Sequence, residues 1–308
     1  MTGADAASVV VQVAGVALAP LCVGSVQSLK ALLTGRRGAG PLQPYRALRR
    51  LWGKSVVSPD GTGPLYRAAP ALSAAALLAA LVVVPIGAAA PDGPAGRDAL
   101  VVAGLLAAAR LAVGLGAFDT RNGFALQGVS RDLLFAVAGD ALLAATLGAL
   151  AVAAGSSDLR TIAAATAGGD VWRGPAQVLL LAAFGLVMVA ETGRQPIDNP
   201  DTHLELTMIH EGPLLEYAGR DLAMLQWSAA ARHWLVLVLL GTILAPHPLS
   251  TRGALAVLPV AVAVGCTALA ITETMVAKVR IYRAPRMLAV GVAVALLATA
   301  ARSLGGVG

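Results

Sequence analysis

The sequence predicts an all-α integral membrane protein of about eight transmembrane helices, with an amphipathic surface helix after the first. Three observations carry this. Hydrophobic residues make up 57% of the 308 residues and charged residues only 13%, against roughly 45–50% and 25% in a soluble domain. Apolar runs long enough to cross a bilayer recur along the whole chain. None of them alternates with the period of barrel strands. The composition also excludes a disordered chain and a secreted disulfide scaffold.

The spans are expected at roughly 8–29, 68–90, 99–118, 132–154, 176–192, 222–245, 253–275 and 286–303, each near the 20 or so apolar residues that a membrane helix needs. Together they make residues 1–308 one membrane domain. The first is not expected to be a cleaved signal peptide, because its N-flank holds Asp5 and no Lys or Arg. The fifth is short and ends in charge at Glu191. The sixth is interrupted by Arg232 and His233.

Loop charge sets the orientation. The loops after the second, fourth and sixth spans carry only Arg97, Arg160, Arg173 and Arg252. Most other Lys and Arg residues fall in the loops after the first, third, fifth and seventh. By the positive-inside rule those face the cytoplasm, and both termini face outward. The expected location is a bacterial or archaeal plasma membrane.

The cytoplasmic loop 30–67 holds eight basic residues and one acid, Asp60. Pro44 can open a helix there. Leu42, Tyr45, Leu48, Leu51 and Trp52 then share one face, with Arg46, Arg49, Arg50 and Lys54 placed to reach headgroups. This reads either as an amphipathic helix on the inner surface or as a basic connector held by anionic lipid.

The loop 191–221 is acidic. Glu191, Asp198, Asp201, Glu205, Glu211, Glu216 and Asp221 are seven of the chain's 17 acids. His203 and His210 sit among them. Positive-inside charge has no use for acids here. Crowded carboxylates with histidines are the chemistry of a proton relay, and equally of a solvated face that docks a partner. The spacing fits no zinc pattern, so no metal site is expected. Cys22 and Cys266 are too few for a Cys-ligated iron–sulfur cluster. No cofactor is expected in this chain itself, nor any nucleic-acid partner.

Two charges lie inside spans. Arg110 and Asp140 are each placed about 12 Å from the cytoplasmic end of their helix. Adjacent antiparallel helices bring them level, as an ion pair or as a protonatable station tuned by its partner. Glu273, near the inner end of the seventh span, is a further candidate that also reads as snorkelling to the interface.

The run ETGRQPIDNPDTHLELTMIHEGPLLEYAG, 191–219, resembles the loop between helices 5 and 6 of the H subunit of respiratory complex I. It is more similar still to the membrane subunit of formate hydrogenlyase and of energy-converting nickel–iron hydrogenases. GRRGAGPLQPYRALRRLWGK (35–54), FDTRNGFALQGVSRD (118–132) and ETMVAKVRIYR (273–283) resemble the other cytoplasmic signatures of that family, in order. His203 stands where complex I has an acid, which favours the hydrogenase-related branch.

The resemblance implies a non-catalytic membrane-anchor subunit of an oxidoreductase complex. It would dock a cytoplasmic redox module and link electron transfer to proton or cation movement. The implied partners are an iron–sulfur small subunit, a hydrogenase-like large subunit and antiporter-like membrane subunits. Nickel–iron and iron–sulfur centres would belong to those partners, and a quinone is a further group the family admits. The implied coupling residues are Asp140, Glu191, Asp198, Asp201, Glu205, Glu216, Arg110 and Glu273. The implied partner-facing residues are Arg36, Arg37, Gln43, Arg49, Arg194, His203, His210 and Glu211. Two alternatives stand beside this: the quinone-site subunit of a complex I-type enzyme, and a free-standing ion transporter. The chain has no internal repeat of the kind transporters favour.

Overall fold

The computed structural model describes residues 3–85, 97–167, 175–198, 209–244, 251–281 and 283–305. Among these, ten α-helices and one 3₁₀ turn follow in order: α1 Gly3–Leu33, α2 Gln43–Trp52, α3 Pro64–Val83, α4 Ala99–Asp119, α5 Gly123–Ala154, α6 Leu159–Ala167, α7 Pro175–Thr192, the 3₁₀ turn Gly212–Leu214, α8 Gly219–Leu244, α9 Thr251–Met275 and α10 Ala284–Gly305. Seven of them are long and apolar enough to cross a membrane: α1, α3, α4, α5, α8, α9 and α10. The expected fifth span is α7, whose apolar stretch Val178–Thr192 is shorter. The all-α membrane architecture therefore stands, with one helix below spanning length.

Local sequence explains the helix ends. Asp98 caps α4, its carboxylate accepting from the amides of Leu100 at 2.6 Å and Val101 at 3.3 Å. Asn122 caps α5 through the Phe124 amide. Gly155, at φ 69°, closes α5 in the left-handed conformation that lacks a Cβ penalty. Asp158 caps α6 by accepting from Arg160 and Thr161, a short helix that apolar periodicity does not reveal.

One boundary differs from expectation in a way that matters. The fourth span is expected at 132–154, but α5 starts at Gly123 and runs 32 residues. The segment 118–132 is therefore mostly helix, joined to α4 by Thr120, Arg121 and Asn122 alone. The nine added residues lengthen α5 by about 13 Å. They form a post on which the turn at 212–214 rests.

The surface helix is present as α2. It packs against α1 and α8, and the Tyr45 hydroxyl donates to the Ala17 carbonyl. Leu42 and Trp52 are each 58% exposed, with Arg46, Arg49 and Arg50 beside them. The sixth span also holds despite Arg232 and His233, for both are buried or nearly so in α8.

α3 packs on α4, α4 on α5, α5 and α7 on α10, and α1 on α8 and α9. α8 touches α1, α2, α3, α6, α7 and α9. It is the most enclosed of the spanning helices, and Arg232 within it meets Glu191.

Candidate functional site: a buried ion network beside a cavity

Four helices bring four charges together. Arg110 of α4 reaches Asp140 of α5 at 3.0 Å and Glu191 of α7 at 3.2 Å. Arg232 of α8 reaches the same Glu191 oxygen at 2.6 Å, and its second terminal nitrogen donates to the Leu106 carbonyl. The Glu191 side chain is fully enclosed, whereas that of Asp140 is 27% exposed. Two cations balance two anions. That balance is what makes the set tolerable at membrane depth, because an unpaired buried charge costs several kcal/mol (roughly 3–5 when one partner is removed).

Two further ionic groups follow Glu191 along the chain. Arg194 reaches Glu273 of α9 at 2.9 Å, and Lys30 of α1 reaches it at 3.2 Å. Beyond these, the Asp198 carboxylate meets Lys278 at 2.9 Å and His210 at 3.1 Å. The other ring nitrogen of His210 lies 3.8 Å from Asp132 of α5. Burial pushes the Asp198 carboxyl up, but the hydrogen bonds and charges of His210 and Lys278 outweigh it. Asp198 is thereby held well below the usual carboxylate range.

These groups stand around a cavity of about 780 Å³. Its walls combine apolar residues, among them Pro20, Leu48, Leu77 and Leu225, with the polar Arg110, Glu191, Arg194, Asp198, His210 and Arg232. Ser228 and His233 also line it. Among the described residues the Ser228 hydroxyl, the His233 Nε2 and the Glu191 Oε1 are buried without a hydrogen-bond partner. Among the described residues no group of three His, Cys, Asp or Glu side chains converges as a metal site.

The sequence-predicted residues divide by position. Arg110, Asp140 and Glu191 share one network, and Asp198 and His210 share another. Glu273 is 4% exposed and sits in an ion pair, so it does not snorkel to the interface. Glu216 takes a hydrogen bond from Asn122 at the start of α5, and no ion pair among the described residues joins it to the Arg110 set. Arg194 is 5% exposed, bonded to Glu273, and lines the cavity. Gln43, His210 and Glu211 line the cavity. Arg36, Arg37 and Arg49 are exposed. Asp201, His203 and Glu205 lie outside the described residues.

Sequence reasoning misses the roles of Lys30, Asp132, Lys278 and above all Arg232. Arg232 is visible there only as a break in an apolar run. A lone intramembrane arginine demands an acid on a neighbouring helix, and that is the signal the sequence offers.

The comparisons agree with this architecture. The NADH dehydrogenase family matches residues 6–302. Formate hydrogenlyase subunit 4 of Escherichia coli is 28% identical over 92% of this chain and 93% of its own. Hydrogenase-4 component C of the same organism is 32% identical over 68% of this chain and 65% of its own. An H-type subunit of the NADH-quinone oxidoreductase of Cereibacter sphaeroides is 30% identical over 64% and 63%. The fold matches a chain of the membrane-bound sulfane sulfur reductase, an archaeal respiratory membrane complex, with a TM-score of 0.83 at 20% identity, covering 96% of this chain and 98% of that one. The chain is thus a member of the NADH dehydrogenase family and a homologue of formate hydrogenlyase subunit 4.

Proposed function

We propose that this chain is the non-catalytic membrane-anchor and coupling subunit of a hydrogenase-like, formate hydrogenlyase-type respiratory complex. It lies in the plasma membrane with both termini outward, docks a cytoplasmic redox module, and links electron transfer there to proton or cation movement. The observation that carries this is the charge-balanced set Arg110, Asp140, Glu191 and Arg232, gathered from α4, α5, α7 and α8 at the wall of a cavity. Ionisable residues at such depth serve ion pathways by default. The exposed Arg36, Arg37 and Arg49 supply a basic surface for the module. The partners are an iron–sulfur small subunit, a hydrogenase-like large subunit and antiporter-like membrane subunits.

The test is purification of the tagged chain from its native membranes in mild detergent. The reading requires co-purified soluble subunits and iron in the preparation. A chain that purifies alone and carries ions in vesicles would make it a free-standing transporter.

A second reading is favoured by the cavity. Apolar walls and the unpartnered Ser228 hydroxyl and His233 Nε2 suit a quinone, with its apolar tail and two carbonyl acceptors. The serine hydroxyl can donate to one carbonyl, and His233 can do so in the tautomer that carries its proton on Nε2. A photoreactive quinone analogue that labels α8 in the wild type, and not after Ser228→Leu, distinguishes this quinone-site role from the first.

A further inference from the structure

The two cysteines of the chain are 244 residues apart in sequence and meet in the fold. Cys22 lies on α1 and Cys266 on α9, two helices that pack on one another. The Cys266 Sγ donates to the Cys22 carbonyl at 3.9 Å, and the two thiols hydrogen-bond to each other. Both residues are buried. Eight residues beyond Cys22 is Lys30, and seven beyond Cys266 is Glu273; these two make an ion pair at 3.2 Å. The helices are therefore parallel and in register, with the sulfur contact about 11 Å along from the ionic one. Each helix also carries a proline ahead of the contact, Pro20 in α1 and Pro259 in α9. An interior proline removes a backbone hydrogen bond and loosens the helix there. Pro20 and Val23, on either side of Cys22, line the cavity.

We propose that Cys22 and Cys266 are a reversible oxidation site, whose disulfide staples α1 to α9 and fixes the α1 wall of the cavity.

Thiols in contact on two packed helices already have the proximity that a disulfide requires. Their depth selects the oxidant. Buried among apolar residues and away from the helix ends, they are reached by a membrane-soluble organic hydroperoxide rather than by a charged reagent. The field of Arg194 reaches Cys266, and a nearby guanidinium favours negative charge on an attacking sulfur. The Cys266 sulfur attacks the terminal peroxide oxygen. The O–O bond breaks, the hydroperoxide leaves as its alcohol, and Cys266 becomes a sulfenic acid. The Cys22 sulfur then attacks the Cys266 sulfur. The S–S bond forms, the S–O bond breaks, and water leaves. Two thiols are oxidised by two electrons, and one hydroperoxide is reduced to alcohol and water.

This inference stands apart from the coupling reading, and its test needs no ion transport. The whole complex, in native membranes, is treated with cumene hydroperoxide. The chain is then denatured without reductant, its free thiols are capped with N-ethylmaleimide, and its mass and peptides are measured. With two cysteines in the chain, the count of maleimides reads the state directly. We expect at least half of the chains to take up none, to take up two after dithiothreitol, and to yield a peptide joining residues 22 and 266. The treated chain should also melt at least about 3 °C higher than the reduced one, an increase that dithiothreitol removes. Cys22→Ala and Cys266→Ala should each abolish both the joined peptide and the melting shift. Joined peptides in fewer than half of the chains, or sulfurs joined only between two chains, overturn the proposal. A joined chain that melts no higher than the reduced one also overturns it, because the bond then staples nothing.

Discussion

Arg110 accepts no substitute within its reach. It serves Asp140 and Glu191 on two different helices, and its side chain is only 9% exposed. Arg110→Gln leaves one cation for two carboxylates. We expect a loss of about 3–5 kcal/mol, the cost of breaking a buried pair from one side, read as a lower melting temperature in detergent. Arg110→Gln with Asp140→Asn should recover most of it, since the charge balance returns. Asp198 gives a pH signature. Its carboxyl is held below its ordinary range by His210 and Lys278 against the opposing effect of burial. A depressed folded-state value means the stabilisation is complete above the unfolded value of about 3.9 and is lost as pH falls below it. The melting-temperature gap between wild type and Asp198→Asn should be full at pH 5 and narrow steadily below about pH 3.9. Depth arithmetic alone anticipates that Arg110 and Asp140 meet. It does not find that Glu191 completes the set, because Glu191 is expected at the inner end of the fifth span, about 12 Å from the depth of Arg110 and Asp140.

At the scale of elements, the acidic segment is held by α5. The extended start of α5 brings Gly128 against Gly212, where a Cβ on Gly128 would lie 2.7 Å from the Gly212 Cα. Backbone is not able to yield as a flexible side chain would. Gly128→Ala should therefore lift the 212–214 turn off the helix, at about 1–3 kcal/mol, and expose the 209–217 stretch to limited proteolysis. Gly148 is a control on the same helix, for a Cβ there meets nothing within 4 Å. Gly148→Ala should leave proteolysis unchanged and stabilise α5 by about 0.5–1 kcal/mol. The spans are legible in the sequence because apolar length is enough to mark them. The α5 extension is not, because Gln127, Ser130 and Arg131 interrupt the apolar run ahead of the expected span. α2 is legible from Pro44 and its apolar face, but its seat on α1 depends on Gly24, whose Cβ would come within 2.0 Å of the Pro41 carbonyl.

For the whole molecule, topology and coupling are the two claims open to measurement. Cys22 and Cys266 are 4% and 3% exposed, so single cysteines can be introduced without competing labels. An impermeant maleimide added to intact cells should label Ser156→Cys, on the turn after α5, and not Ser58→Cys, in the basic loop. The opposite pattern would invert the molecule. Its fold joins α4, α5, α7 and α8 around one neutral ionic set, with Asp140 the most open carboxylate in it. The most direct test is therefore Asp140→Asn in the complete complex, in sealed vesicles, with redox turnover and pH-gradient formation followed in the same sample. The account predicts an assembled complex that still turns over but builds a gradient at least fivefold smaller per turnover. A full gradient in that variant would show Asp140 to be only a member of a structural ion pair.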